Sequence, residues 1–117
     1  MLKLLLLSLM LLATPTTPQL TVKLTPAGVQ TAPLNLRVEV RLVPNSANRK
    51  LRFSMVMEGE EYSLSEKPLD GLEAPKLAVF LFRDLPAGDY EGRATLVRQV
   101  EGKEVLYSAR STLLVVR

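Results

Sequence analysis

Leu77-Ala78-Val79-Phe80-Leu81-Phe82-Arg83-Asp84-Leu85-Pro86-Ala87-Gly88-Asp89-Tyr90-Glu91-Gly92-Arg93-Ala94-Thr95-Leu96 decides the fold class. It is an apolar strand, a Pro/Gly corner, and a second strand that opens on a tyrosine. Pro86 fixes φ near the value a turn needs, and Gly88 supplies a residue that can take φ > 0. Beyond the corner, Tyr90, Gly92, Ala94 and Leu96 recur at period two and share one face, with Glu91, Arg93 and Thr95 on the other. A tyrosine in that place can bury its ring and return its hydroxyl to nearby backbone.

The segments on either side continue the pattern. Leu34 to Leu42 puts five apolar residues on one parity and Asn35, Arg37, Glu39 and Arg41 on the other, which a helix would scatter around its cylinder. Leu20 to Thr25 alternates and is broken by Pro26-Ala27-Gly28. Pro44 to Asn48 reads as a turn, Leu51 to Met57 as a strand ended by Gly59, and Tyr62 to Leu64 as a short strand. Ser65 to Pro75 reads as a polar connection. A turn at Glu101-Gly102-Lys103 leads into a last strand from Val105 to Arg117, with a bulge between its halves. The expectation is all-β, with about seven strands at the turn spacing of a sandwich.

Leu85-Pro86-Ala87-Gly88-Asp89-Tyr90 resembles the L-P-x-G-x-Y tyrosine corner of immunoglobulin-like, fibronectin type III-like and prealbumin-like β-sandwich modules, common in bacterial envelope proteins. The resemblance implies a single immunoglobulin-like antiparallel β-sandwich. The chain departs from these families in having no Trp and no Cys. Its corner is also one residue shorter than that of fibronectin type III domains. An ordinary hairpin with a buried tyrosine is the alternative, and it too gives an all-β domain.

Residues 1–13 are unlike the rest. Lys3 precedes an apolar run, and Ala13-Thr14-Pro15-Thr16-Thr17-Pro18 follows, the layout of a secretory signal peptide. The run is shorter than the about 20 residues that cross a bilayer. An uncleaved amino-terminal anchor and a buried first strand are the alternatives. The expected organisation is a signal peptide and short linker over 1–19 and a sandwich domain over 20–117, exported to the periplasm or the outside of the cell. With no Cys, the domain relies on packing alone. The net charge of +3 is spread over both signs, so no nucleic-acid partner is expected. Membrane contact is expected only through the signal segment, if it stays uncleaved.

The absence of His and Cys removes Ser-His-Asp and Cys-His catalysis and the usual zinc, copper and haem ligands. No Gly-rich phosphate loop is present. The expectation is therefore a non-enzymatic chain without cofactors. Glu58, Glu60, Glu61, Glu66, Asp70 and Glu73 form an acidic run. It reads as a solvated loop, with Glu58, Glu60 and Glu61 as a weak calcium candidate. Met55 and Met57 read as core and edge fillers rather than copper ligands.

Apolar residues on both faces are the remaining signal. If Phe80, Phe82 and Leu85 point inward, Leu77, Val79 and Leu81 point outward and need cover, from the chain's own loops or from another chain. Leu113 and Val115 oppose Leu114 and Val116 in the same way. Leu77, Val79 and Leu81 are therefore the candidate partner-binding residues, for an envelope protein or a second copy. The function expected is an exported non-enzymatic module for protein–protein interaction or envelope assembly. The alternative is a small-ligand or calcium-binding periplasmic carrier using the acidic 58–73 stretch.

Overall fold

The computed structural model of the protein describes residues 18–117. The expected signal peptide therefore lies, save for Pro18 and Gln19, outside the described residues. The described residues form eight strands: β1 (Leu20–Thr25), β2 (Gly28–Thr31), β3 (Leu34–Leu42), β4 (Asn48–Met57), β5 (Glu60–Pro68), β6 (Leu77–Leu85), β7 (Gly88–Val100) and β8 (Lys103–Val116). They make two sheets, a three-stranded one in the order β1-β3-β6 and a five-stranded one in the order β2-β8-β7-β4-β5. The chain is an all-β sandwich.

Hydrophobic alternation selects the inner faces. In β3, Leu34, Leu36, Val38, Val40 and Leu42 are buried while Asn35, Arg37 and Arg41 are exposed. In β7, Tyr90, Gly92, Ala94 and Leu96 face inward, as the period-two reading expects. Phe53 of β4 stacks on Phe80 of β6, with ring centroids 4.9 Å apart, and joins the two sheets at the centre of the core.

Two hairpins set the register of the large sheet. Glu58-Gly59 and Glu101-Gly102 each place two successive residues at positive φ, 52° and 81° in the first and 52° and 78° in the second. That is the two-residue turn whose twist matches antiparallel strands. The second turn pairs Val100 with Lys103 and carries the β7–β8 ladder back to Gly88 and Val115.

The structure corrects the sequence reading in several places, among them β8, which runs from Lys103 to Val116 in one unbroken register with β7 and without the expected bulge. The strand count is eight rather than about seven, because Gly28–Thr31 forms a strand of its own. After β1 the chain crosses at Pro26-Ala27-Gly28, with Gly28 at φ 81°, and β2 pairs with β8 of the other sheet. That pairing is parallel, so the sandwich is not wholly antiparallel. β5 runs from Glu60 to Pro68, where the reading had a three-residue strand and a polar connection. An edge strand has one ladder and little to bury, so its residues need not alternate. A short 3-10 turn, Gly71–Glu73, then leads towards β6.

Candidate functional site

The β7–β8 register decides what stands on the outer face of the five-stranded sheet. Burying Gly92, Ala94 and Leu96 turns Glu91, Arg93, Thr95 and Val97 outward. The ladder then sets Arg93 opposite Arg110 and Thr95 opposite Ser108. Two guanidiniums and two hydroxyls thus form a square over adjacent strands. A groove of about 270 Å³ is lined by Arg93, Ala94, Thr95, Ser108, Ala109 and Arg110.

Like charges directly opposite each other on one sheet face repel. Glu91 answers both: Arg93 Nη2 lies 3.2 Å from Glu91 Oε2, and Arg110 Nη1 lies 3.7 Å from Glu91 Oε1. The hydrogen bond from Arg93 holds the Glu91 carboxyl below the usual carboxylate range, and the same bond raises the guanidinium of Arg93 further. One carboxylate is thus shared by two cations, and its Oε1 has no hydrogen-bond partner. On the neighbouring strand Arg52 sits opposite Thr95, its Nη2 2.7 Å from Glu66, and Lys50 lies 3.8 Å from the same carboxylate. Four cations therefore face two carboxylates across β5, β4, β7 and β8.

Sequence reading took these charges only as a net +3 spread over both signs. The signal was available nonetheless. A two-residue turn at Glu101-Gly102 fixes the ladder by counting, and counting back from it brings Arg93 to Arg110.

The residues singled out from sequence are placed differently. Leu81 is 65% exposed on β6, while Leu77 and Val79 are half-buried. Glu58 lies in the β4–β5 turn, where its Oε1 accepts the Asp89 backbone N–H at 3.0 Å. Glu60 and Glu61 are exposed on β5. Among the described residues, no group of three or more His, Cys, Asp or Glu stands together as a metal site. Met55 is fully buried and Met57 half-buried against the core.

No family model and no curated protein matches the chain. Solved structures do. A superoxide reductase (neelaredoxin) from Ignicoccus hospitalis is similar at TM-score 0.58 and 19% identity, over 81% of this chain and 80% of that one. A lytic polysaccharide monooxygenase from Jonesia denitrificans is similar at TM-score 0.49 and 13% identity, over 77% of this chain and 58% of that one. A CARDB domain from Pyrococcus furiosus, solved in complex with di-metal ions, is similar at TM-score 0.48 and 22% identity, over 89% of this chain and 98% of that one.

At such identities the likeness is one of fold. It nevertheless corrects the functional expectation. The fold is shared with a superoxide reductase, an enzyme. The inference from sandwich to exported non-enzymatic interaction or assembly module, or to a calcium or small-ligand carrier at 58–73, therefore fails.

Proposed function

We propose that the chain is a β-sandwich binding protein for ligands bearing oxyanion groups, held on the outer face of the five-stranded sheet. The observation that carries this is the opposition of Arg93 to Arg110 beside the opposition of Thr95 to Ser108. Planar guanidiniums present paired donors that match a carboxylate, sulfate or phosphate, and the hydroxyls add donors at the next rung. An arriving oxyanion relieves the repulsion between the two arginines. Glu91 is the internal competitor for the same donors.

A redox reaction like that of the similar reductase finds no donor set here. The chain has no His and no Cys to supply nitrogen or sulfur ligands. The sandwich itself is proposed to be of the immunoglobulin-like kind, a reading supported by the Tyr90 hydroxyl, which donates to the Pro86 carbonyl at 2.7 Å. Export is part of the same proposal and rests on the layout of residues 1–13.

The test compares the chain with Arg93→Gln/Arg110→Gln on immobilised heparin, a sulfated polysaccharide, and in titration with inorganic phosphate. A charge control, Lys23→Gln/Lys103→Gln, removes two cations elsewhere. The expected result is earlier elution for the arginine variant alone, with binding weaker by about tenfold per arginine. Glu91→Gln frees both guanidiniums and should tighten binding by about two- to fivefold. Phosphate binding without heparin retention would assign a small oxyanion, and heparin retention without phosphate binding a polymer. Equal elution of all variants, with no phosphate binding, would overturn the reading.

A further inference from the structure

The two sheets end differently on the open side of the sandwich, where β5 closes the five-stranded sheet and β6 the three-stranded one. β5 is protected in the usual ways. It carries Glu60, Glu61, Glu66 and Lys67 and stops at Pro68. β6 is protected only at its far end, by Arg83, Asp84 and a register shift against β3: Leu77-Ala78-Val79-Phe80-Leu81-Phe82 has no charge, Pro or Gly. A segment of that length and composition at a free edge templates further strand pairing.

The backbone of this edge is available. Leu42 N–H donates to the Lys76 carbonyl at 3.0 Å, which fixes the phase of the β3–β6 ladder. In an antiparallel ladder, alternate residues turn their N–H and C=O groups to opposite sides. Lys76, Ala78, Phe80 and Phe82 thus bond to β3, and Leu77, Val79 and Leu81 present theirs at the free edge. Among the described residues, β6 has no strand neighbour on that side.

The outer face of the same sheet says which way it is covered. On β1 and β3 that face carries Thr21, Lys23, Asn35, Arg37, Glu39 and Arg41, and it becomes apolar only on β6, at Leu77, Val79 and Leu81. A chain lying on the face would need an apolar centre. An apolar strip confined to the edge instead matches a neighbour added at the edge.

From this we infer that β6 pairs antiparallel with β6 of a second copy about a two-fold axis, joining the two three-stranded sheets into one. The pairing is self-complementary along the uncharged segment Leu77–Phe82. In the register centred on Phe80, Val79 faces the second copy's Leu81 and Ala78 faces its Phe82, each twice by symmetry. The six apolar residues of the two outward strips then become central in the joined sheet, and both free edges disappear. The inference is independent of the oxyanion site, which lies on the other sheet.

Light scattering of the full chain across a wide concentration range reads the assembly. The expected result is a dimer. Leu81→Lys places a charge in the strip, and Val79→Pro removes an N–H that only the second copy uses. Each should leave the circular dichroism spectrum unchanged and weaken dimerisation by at least about tenfold. Since the chain has no Cys, copies with Val79→Cys and copies with Leu81→Cys can be mixed under oxidising conditions. The mixed disulfide should form faster than either self-disulfide. A monomer at all concentrations, a dimer indifferent to both substitutions, or oligomers beyond the dimer would each overturn the inference. Cross-linking reads the edge even if a substitution unfolds the chain, and equal rates for mixed and self-disulfides would sink the register.

Discussion

Arg98 and Asn48 meet inside the sandwich, with Arg98 Nε donating to Asn48 Oδ1 at 2.7 Å in a contact between residues 50 apart in sequence. Asn48 Nδ2 and Arg98 Nη2 both donate to the Val43 carbonyl at 3.2 Å, and the guanidinium carbon lies 4.7 Å from the Tyr107 ring centroid. The two side chains are 0% and 4% exposed. A buried cation needs partners to offset lost hydration, and here they are an amide, a carbonyl and a ring.

Asn48→Leu should therefore destabilise the fold by about 1.5–3 kcal/mol, because it strips a charged donor of its acceptor in the interior. Arg98→Met in the Asn48→Leu background should cost less than the sum of the two single changes, since no unpaired charge is then left. Urea unfolding of the two single variants and the double variant checks this. Additive losses would mean that the two groups act separately.

Tyr90 is fully buried and its hydroxyl donates to the Pro86 carbonyl at 2.7 Å across the corner. Tyr90→Phe should cost about 0.5–1.5 kcal/mol at neutral pH. Burial is the main cause that raises the Tyr90 pKa, with Tyr62 and Glu58 adding to it. The unfolded chain then loses this proton first, near pH 10. The stabilisation is complete below that pH and declines as pH rises towards and through the folded-state pKa. The difference in unfolding free energy between parent and Tyr90→Phe should shrink in alkaline solution, and a constant difference would count against it.

Gly92 faces the core beside Phe53 of the neighbouring strand and Leu24 of the other sheet. A Cβ there would lie 3.1 Å from Phe53 Cζ and 3.6 Å from Leu24 Cδ2. Phe53 is 1% exposed and already stacked on Phe80, so it has little room to give. Gly92→Ala should lower stability by about 1–3 kcal/mol, as overpacking does in a filled core. Thermal unfolding of this variant beside Gly92→Ala/Phe53→Leu reads the clash, which the second change should relieve in part.

Much of the inner face was legible without coordinates. Period-two burial named Leu36, Val38, Val40, Phe53, Tyr90 and Leu96, and Pro86-Ala87 marked the turn between β6 and β7, although the positive φ falls at Asp84 and not at Gly88. β2 and most of β5 were not legible. The first is four residues stabilised by a parallel ladder with β8, and the second is an edge strand exposed on most of its length. Neither carries an amphipathic pattern, because a short or edge strand is held by its backbone partner rather than by its own apolar face. Asn48, read as a turn residue, opens β4 instead and is drawn inside by Arg98.

By itself the sequence determined which apolar residues of β3 and β7 face the core, because alternation is written in the chain and water enforces it locally. The β7–β8 register follows from a two-residue turn whose glycine tolerates positive φ, but the sequence reading had a turn over Glu101-Gly102-Lys103 and a bulge in the last strand instead. Only the tertiary structure decided that β1 and β2 belong to different sheets and that β5 and β6 end theirs. It alone gave Arg98 a polar nest in the interior. Those outcomes depend on contacts between residues far apart in sequence, whose energies exist only once the sheets have closed on each other and no local pattern encodes them.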